Sequence, residues 1–454
     1  MSLTEGFAPP DLAAWEKSAT KTAPDARFEA LTRRSLDGVA VQPLYGSWNA
    51  SEPIGPRARV KEDPTRPWDL RSRIFAATPA ETNRAALKAL EGGAASILLP
   101  VEGCGIRSAD DMAVALDGVL IELATVALDG GELSVEAANG LAVTAKGSPQ
   151  ARLAFHLDPV SLIAREAADL LDASVQTAMR HQAAYPAAEL FLASGVFVHE
   201  AGGTEAQELA VMLGSAVTYA RALVGAGLGV EEAFRRVTLA VSADNLTFMT
   251  LAKTRAARAL WAQVCAASGV SVPARIEARS SRRMLSAADP WTNLLRLTAA
   301  GFGAGAGGAD AVVLDPFDVA AGAPSELAVR QARNIQLILM EEAHLGRVAD
   351  PAGGSWFVET LTRDLAEAAW TRFQAIEAEG GVLVALDGLA DEVEAARIER
   401  DRQLRDGEQL MIGVNLHRSA DAAAPSTASR SPSPASQGRR FAPISLTAAF
   451  EGGA

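Results

Sequence analysis

Two cysteines, five histidines and a few closely spaced carboxylates are the groups in this chain able to act as nucleophiles, metal ligands or general acids and bases. Cys104 and Cys265 are too few for a disulfide framework or a thiolate zinc site; they suit a reducing compartment and read as small buried hydrophobes. Asp110 and Asp111 lack metal-ligand spacing and read as solvated acids at a helix start, where the helix dipole favours negative charge. The glycine-rich run 301–308 lacks the Gly-Lys-Ser/Thr ending of a phosphate-binding loop and reads as a flexible connector. Glu277 and Arg279 are two apart, so on a strand they face one side and can pair. Residues 194–202 read Ser-Gly-Val-Phe-Val-His-Glu-Ala-Gly. If a strand runs on through them, His199 shares a face with Phe197 and a displaced catalytic role is open to it; the plainer expectation is a hydrogen-bonding histidine at a strand end.

Positioning such groups falls to an alternation of short apolar runs and longer helical segments. Strands are expected at 95–99, 119–127, 151–157, 189–198, 237–243, 274–278 and 311–314, and helices at 78–91, 159–171, 205–224, 246–267, 293–301 and 326–342. That many repeats favour a closed (β/α)8 TIM barrel over an open sheet. Seven strands are identified; the eighth is sought near 133–143 or after 345, and a doubly wound sheet stays open as the alternative. Before the barrel, residues 10–35 read as an exposed helical arm capped by Asp11 and carrying Leu12, Trp15, Phe28 and Leu31, followed by a Pro/Gly-rich strap at 46–67. After it come amphipathic helices at 355–379 and 390–407, then a Ser/Ala/Pro-rich stretch from 418 to 440 with the composition of a disordered linker. The expected domains are an arm and strap at 1–66, a barrel at 67–380, a C-terminal helical segment at 381–417 and a linker and tail at 418–454.

Composition removes several function classes. A formal net charge of −13 repels a phosphate backbone, so nucleic acid is not an expected partner. No run reaches the roughly 20 apolar residues of a membrane helix, and residues 1–10 lack the features of a secretory signal. A cytoplasmic location is expected.

Five segments, in order, resemble the methylmalonyl-CoA mutase family: residues 38–45 (Gly-Val-Ala-Val-Gln-Pro-Leu-Tyr), 66–71 (Arg-Pro-Trp-Asp-Leu-Arg), 253–261 (Lys-Thr-Arg-Ala-Ala-Arg-Ala-Leu-Trp), 289–293 (Asp-Pro-Trp-Thr-Asn) and 348–356 (Val-Ala-Asp-Pro-Ala-Gly-Gly-Ser-Trp). The resemblance implies a barrel threaded by an acyl-CoA chain, a separate cobalamin domain and radical rearrangement of a carbon skeleton. It also shows where this chain departs. None of His156, His181, His199, His344 and His417 lies in the Asp-x-His-x-x-Gly motif that ligates cobalt in the family. The family's Tyr-His pair falls at Val196 and Phe197, which can exchange no proton. The family's His-x-Gln-Thr-Ser run falls at Glu277 to Ser281, where a charged pair would block a pantetheine arm, and the tyrosine before Arg-Pro-Trp falls at Asp63. The resemblance therefore implies a noncatalytic small subunit of a heterodimeric mutase, with no catalytic, cofactor or metal residues of its own. Adenosylcobalamin and acyl-CoA would be bound by the catalytic partner subunit. The alternatives are a mutase large chain using a separately encoded cobalamin subunit, and a free-standing acyl-CoA-binding assembly protein.

Overall fold

Alternating strands and helices close on themselves in the computed structural model, which describes residues 11–49, 52, 54, 65–148, 150–418 and 440–451. Eight parallel strands form the barrel: β3 (Asp69–Arg73), β4 (Ser96–Pro100), β5 (Thr125–Asp129), β6 (Leu153–Leu157), β7 (Glu189–Ser194), β8 (Val237–Ala243), β9 (Ile276–Ser280) and β10 (Ala311–Val313). Each pairs with the next in sequence, and β10 returns to β3 with Ala311 beside Asp69. The closed (β/α)8 barrel excludes the doubly wound alternative.

Packing follows from the alternation of side chains across each strand. Ile97, Leu99, Val126, Leu128, Leu153 and Phe155 face outward into the large apolar core shared with the surrounding helices. The helix α8 (Glu205–Gly225) carries buried Leu209, Leu213 and Ala216 against that core, and Thr204 opens it with a reciprocal capping box to Gln207. Among the described residues no helix is long and apolar enough to cross a membrane.

Several expectations are corrected, among them the strand expected at 119–127, which begins only at Thr125. The missing strand is β3, drawn from the Arg-Pro-Trp-Asp-Leu-Arg segment, whereas residues 133–143 belong largely to helix α4 (Ser134–Thr144) and those after 345 form a 3-10 turn and helix α13 (Trp356–Ala378). The strand expected over 189–198 stops at Ser194, and Val196–Glu200 is a short helix, α7. Residues 159–171 split into α5 (Pro159–Ala164) and the start of α6 (Leu171–His181). The glycine run continues helix α11 (Asn293–Ala306) and does not form a flexible connector. Its glycines serve close approach: a Cβ on Gly303 would lie 2.8 Å from the Thr247 carbonyl oxygen, and one on Gly305 2.8 Å from the Trp68 ring.

Outside the barrel, α1 (Leu12–Thr22) is capped by Asp11 as expected and buries none of its residues. It rests on the turns Pro24–Ala26 and Phe28–Leu31 that follow it, with Trp15 and Phe28 edge to face at 5.8 Å. A two-stranded ribbon, β1 (Arg33–Arg34) with β2 (Ala40–Val41), then ties the arm down. At its turn Asp37 accepts hydrogen bonds from the Thr204 hydroxyl and the Ala206 amide at the start of α8. Helix α14 (Val382–Arg405) packs on α8 and α13. Residues 440–451, expected to lie in a disordered tail, are held on the barrel: the Ile444 amide donates to the Glu200 carbonyl at 2.8 Å and the Leu446 amide to the Arg283 carbonyl at 2.9 Å. Phe441 is buried there, so this stretch has the apolar anchor that composition alone understated.

Candidate functional site: the barrel axis and its mouths

Inward-facing positions of this barrel are unusually charged. On β3 the residues Asp69, Arg71 and Arg73 alternate with Leu70 and Ser72, and Arg71 is buried at 3% exposure. Its guanidinium reaches the Ser96 hydroxyl at 3.0 Å, Asp69 at 2.9 Å and, in a very short ion pair, Glu277 on β9, two strands away round the barrel. Glu277 also accepts from Arg279 Nε at 2.6 Å, so the pair expected on β9 is formed, with Arg71 as a third member. Burial pushes the Glu277 carboxyl upward, but Arg279 and Arg71 outweigh it and hold the group at about 2.

A second tier stands nearer the C-terminal mouth. Arg73 binds Asp129 at 2.7 Å and approaches Asp315 at 3.4 Å, while Arg282 reaches Asp315 at 2.8 Å. Toward the other mouth, Glu189 takes His156 Nε2 at 3.1 Å and the Thr238 hydroxyl at 2.8 Å. His156 reaches it because β6 is irregular: the register shifts between Ala154 and Leu157, and His156 has φ of 48°, a conformation unusual for a non-glycine residue. Leu98, Ala127, Ala154 and Val313 form a small apolar cluster of their own, separate from the outer core.

Two cavities flank this filling. One of about 350 Å3 at the C-terminal mouth is lined by Arg73, Asp129, Arg165, Phe197, Arg279 and Ile444, among others. One of about 600 Å3 at the N-terminal mouth is lined by Arg71, Glu189, Arg275 and Glu277, among others. No residue lines both, and the Glu277–Arg279 pair sits at the division with one member on each side.

Ser194, Val196, Phe197 and Glu200 stand at the cavity of the C-terminal mouth. Gly195 allows β7 to turn directly into α7, since a Cβ there would lie 2.3 Å from the Glu208 carbonyl oxygen. The turn puts Val196 and Phe197 on the cavity wall, with Phe197 against Phe441 at 5.2 Å and beneath the Arg165 guanidinium at 5.7 Å. His199 is carried away from it. Because 196–200 is helical, His199 does not share a strand face with Phe197; it is fully buried, 3.0 Å from the Ser281 hydroxyl and 3.3 Å from Glu208. Burial, then Arg283 and Lys253, push its ring well below the ordinary histidine value, so it stays neutral.

His199, Glu205 and Asp244 have atoms within 4.8 Å of one another, the arrangement of a metal-ligand set. Their surroundings already supply the positive charge: Arg283 lies 3.7 Å from both carboxylates, and Lys253 binds neighbouring Glu208 at 2.6 Å. Such a compensated cluster leaves a cation little to gain. Of the other histidines, His181 Nε2 donates to the Asn139 side-chain oxygen at 2.8 Å on the outside of the barrel, and His344 and His417 lie in turns. Cys104 and Cys265 are buried and unbridged, and burial raises both thiols. Asp110 and Asp111 occupy the first turn of α3 (Ala109–Ala115), as expected. Asp63 lies outside the described residues. Sequence reasoning did not single out Arg71, Arg73, Asp129 and Asp315; the charged alternation in β3 was the available signal.

Comparison with known proteins agrees with this geometry. Residues 99–445 match the family model described as methylmalonyl-CoA mutase. The chain is 40% identical over 417 residues to a protein of Streptomyces virginiae named methylmalonyl-CoA mutase small subunit, covering 88% of this chain and 68% of that one. Against the small subunit of Propionibacterium freudenreichii subsp. shermanii the identity is 31%, covering 86% and 64%. A probable small subunit of Mycobacterium bovis is 39% identical, covering 85% and 66%. The chain thus spans about two thirds of the length of these relatives, and it belongs to the methylmalonyl-CoA mutase family.

Proposed function

We propose that this chain is the noncatalytic small subunit of a heterodimeric, adenosylcobalamin-dependent mutase, in which the complex interconverts methylmalonyl-CoA and succinyl-CoA and this chain stabilises the assembly. The observation that carries the reading is the filled axis. A thioester arm threading the barrel would have to displace the Arg71–Glu277–Arg279 network, whose charges pair only with one another and their neighbours. Removing one partner from such a set costs about 3–5 kcal/mol.

Cobalamin does not fit the C-terminal mouth as it stands. The cavity of about 350 Å3 is at the small end even for drug-sized ligands, and its wall includes Phe197, backed by Phe441, together with Pro443 and Ile444. No step of the reaction is therefore assigned to residues of this chain; the cofactor and the acyl-CoA belong to the partner subunit. The exposed helix α1, with Leu12 at 37% exposure, supports an arm that packs on that partner, since burying large apolar side chains contributes roughly 1.5–3 kcal/mol each.

The test is expression of the full chain alone and together with the catalytic mutase chain of the same organism. Alone it should leave the adenosylcobalamin spectrum unshifted and give no turnover of methylmalonyl-CoA; together the two should co-purify as an active complex. Turnover by the isolated chain would overturn the reading. Deleting residues 1–31 should weaken the complex, and an unchanged affinity would remove the arm from the interface.

A further inference from the structure

The reading above leaves open which surface of the barrel meets its companion, and the groove between helices α2 (Pro79–Glu91) and α12 (Glu326–Leu337) carries an unmet charge requirement. It is a cavity of about 700 Å3, lined along α2 by Glu81, Arg84 and Lys88 and along α12 by Glu326, Arg330 and Arg333. Arg84 and Lys88 are four apart and Arg330 and Arg333 three apart, so each pair lies on one helical face and both faces look into the groove. The two carboxylates are already engaged: Glu326 holds Lys88 at 3.0 Å, and Glu81 accepts the Ala77 amide at 3.2 Å.

Arg84, Arg330 and Arg333 remain with no anionic partner among the described residues. Arg333 is half-buried, its Nε makes no hydrogen bond, and its guanidinium lies where a Cβ on Gly92 would come within 2.4 Å. Burial and the nearby Arg330 charge both work against its protonated form. Three uncompensated cations in one concavity are anomalous on a chain with a formal net charge of −13. Like charges held together this way favour an incoming anion, and the floor adds apolar surface from Ile74, Phe75, Leu327 and Val329. A free inorganic anion would use the cations and leave that floor wet; a protein segment carrying carboxylates beside an apolar side chain uses both.

We infer that the α2–α12 groove is a docking site for an acidic, amphipathic segment of the companion mutase chain. This rests on the small-subunit reading, and the experiment separates the two. Full-length chain and the catalytic chain are mixed, and the dissociation constant is measured at low and high salt for the wild type and for R84E/R330E/R333E. A neutral variant, R84Q/R330Q/R333Q, and a control reversal at exposed Arg107, Arg152 and Arg405 accompany them. All changes lie at exposed or half-buried positions, and thermal melts confirm that each variant is folded. The charge reversal should weaken the complex at least about tenfold and flatten its salt dependence, with the neutral variant intermediate and the control unchanged. A complex whose affinity and salt dependence do not respond to the groove reversal, or respond equally to the control, overturns the groove and leaves the small-subunit reading standing. A wild-type chain that forms no complex overturns both.

Discussion

Replacing Glu277 with Gln preserves volume and removes the charge that Arg71 and Arg279 share, so the variant isolates what the axial network contributes to stability. Glu277 is fully buried, and both guanidiniums are within hydrogen-bonding distance of it. Breaking a buried ion pair by removing one member costs about 3–5 kcal/mol. An independent route gives a similar figure: holding the carboxyl at about 2 against an ordinary 4.5 corresponds to roughly 3 kcal/mol. Unfolding entropy near 2 cal/mol/K per residue makes a chain of 454 residues lose roughly 1 kcal/mol for each kelvin, so Glu277→Gln should melt about 3–5 °C below wild type. The acid limb should change as well. A carboxyl whose folded value is depressed stabilises the fold above its unfolded value of 4.5, and that contribution fades as pH falls from 4.5 toward 2. Urea midpoints measured as pH is lowered through this window should fall more steeply for wild type than for the variant. Replacing all three members with Arg71→Met, Glu277→Leu and Arg279→Met should recover part of the loss, because the buried charges leave together and the partly exposed Asp69 keeps the Ser96 hydroxyl. A Glu277→Gln protein that melts within a degree of wild type, with an unchanged acid limb, would show that the network does not hold the barrel and would refute the reasoning.

Four further outcomes are expected. Burial first, then Glu205, raises the Asp37 carboxyl to about 6, so the anchoring of the β1–β2 ribbon should weaken as pH rises from about 4 to about 6; hydrogen exchange of its amides checks this, and Asp37→Asn should remove the dependence. Phe441→Ala should cost on the order of 3 kcal/mol and admit a hydrophobic dye to the C-terminal mouth, read by denaturation and dye fluorescence. Gly305→Ala should destabilise by about 1–3 kcal/mol, since the added methyl meets the Trp68 ring, and a thermal melt measures it. Val196→Tyr with Phe197→His should give no methylmalonyl-CoA turnover in the isolated chain, because the supporting groups around a restored pair are missing; a coupled assay decides.

Legibility in the sequence followed the ordinary rule that strands bury apolar faces, and failed where that rule is inverted. Strand β8 was placed to the residue because its seven positions are all buried among apolar or small residues. Strand β3 was missed for the opposite reason: Arg71 and Arg73 point inward to Glu277 and Asp129 on strands farther along the chain, which no local pattern reveals. The run Val196 to Val198 is β-branched and aromatic enough to read as strand, yet the Gly195 turn and the packing of α8 impose a helix. Pairing of Glu277 with Arg279 was legible from their spacing, whereas the third partner Arg71 needed the closed barrel. Phe441 was hidden because a single aromatic after a Ser/Pro-rich stretch carries no periodicity.

The axial ion pairs also bear on how this chain reaches its native state. Arg71 and Arg73 come from the first barrel strand, while Glu277 and Asp315 lie about two hundred residues later, on and just beyond the last two. Either half of the barrel, folded alone, would keep its local pairs, Arg71 with Asp69 and Arg73 with Asp129 in one, Glu277 with Arg279 and Asp315 with Arg282 in the other, but would lack the pairs that join them. A half-barrel therefore lacks part of its axial network, and closure becomes a late step that joins the two ends of the sheet and adds the Arg71–Glu277 and Arg73–Asp315 contacts together. Long-range closure of this kind slows folding, and the same joint loss on opening makes spontaneous unfolding slow. Resistance to proteolysis in this chain should accordingly track the rate at which β10 separates from β3, more than any local loosening of the helices outside.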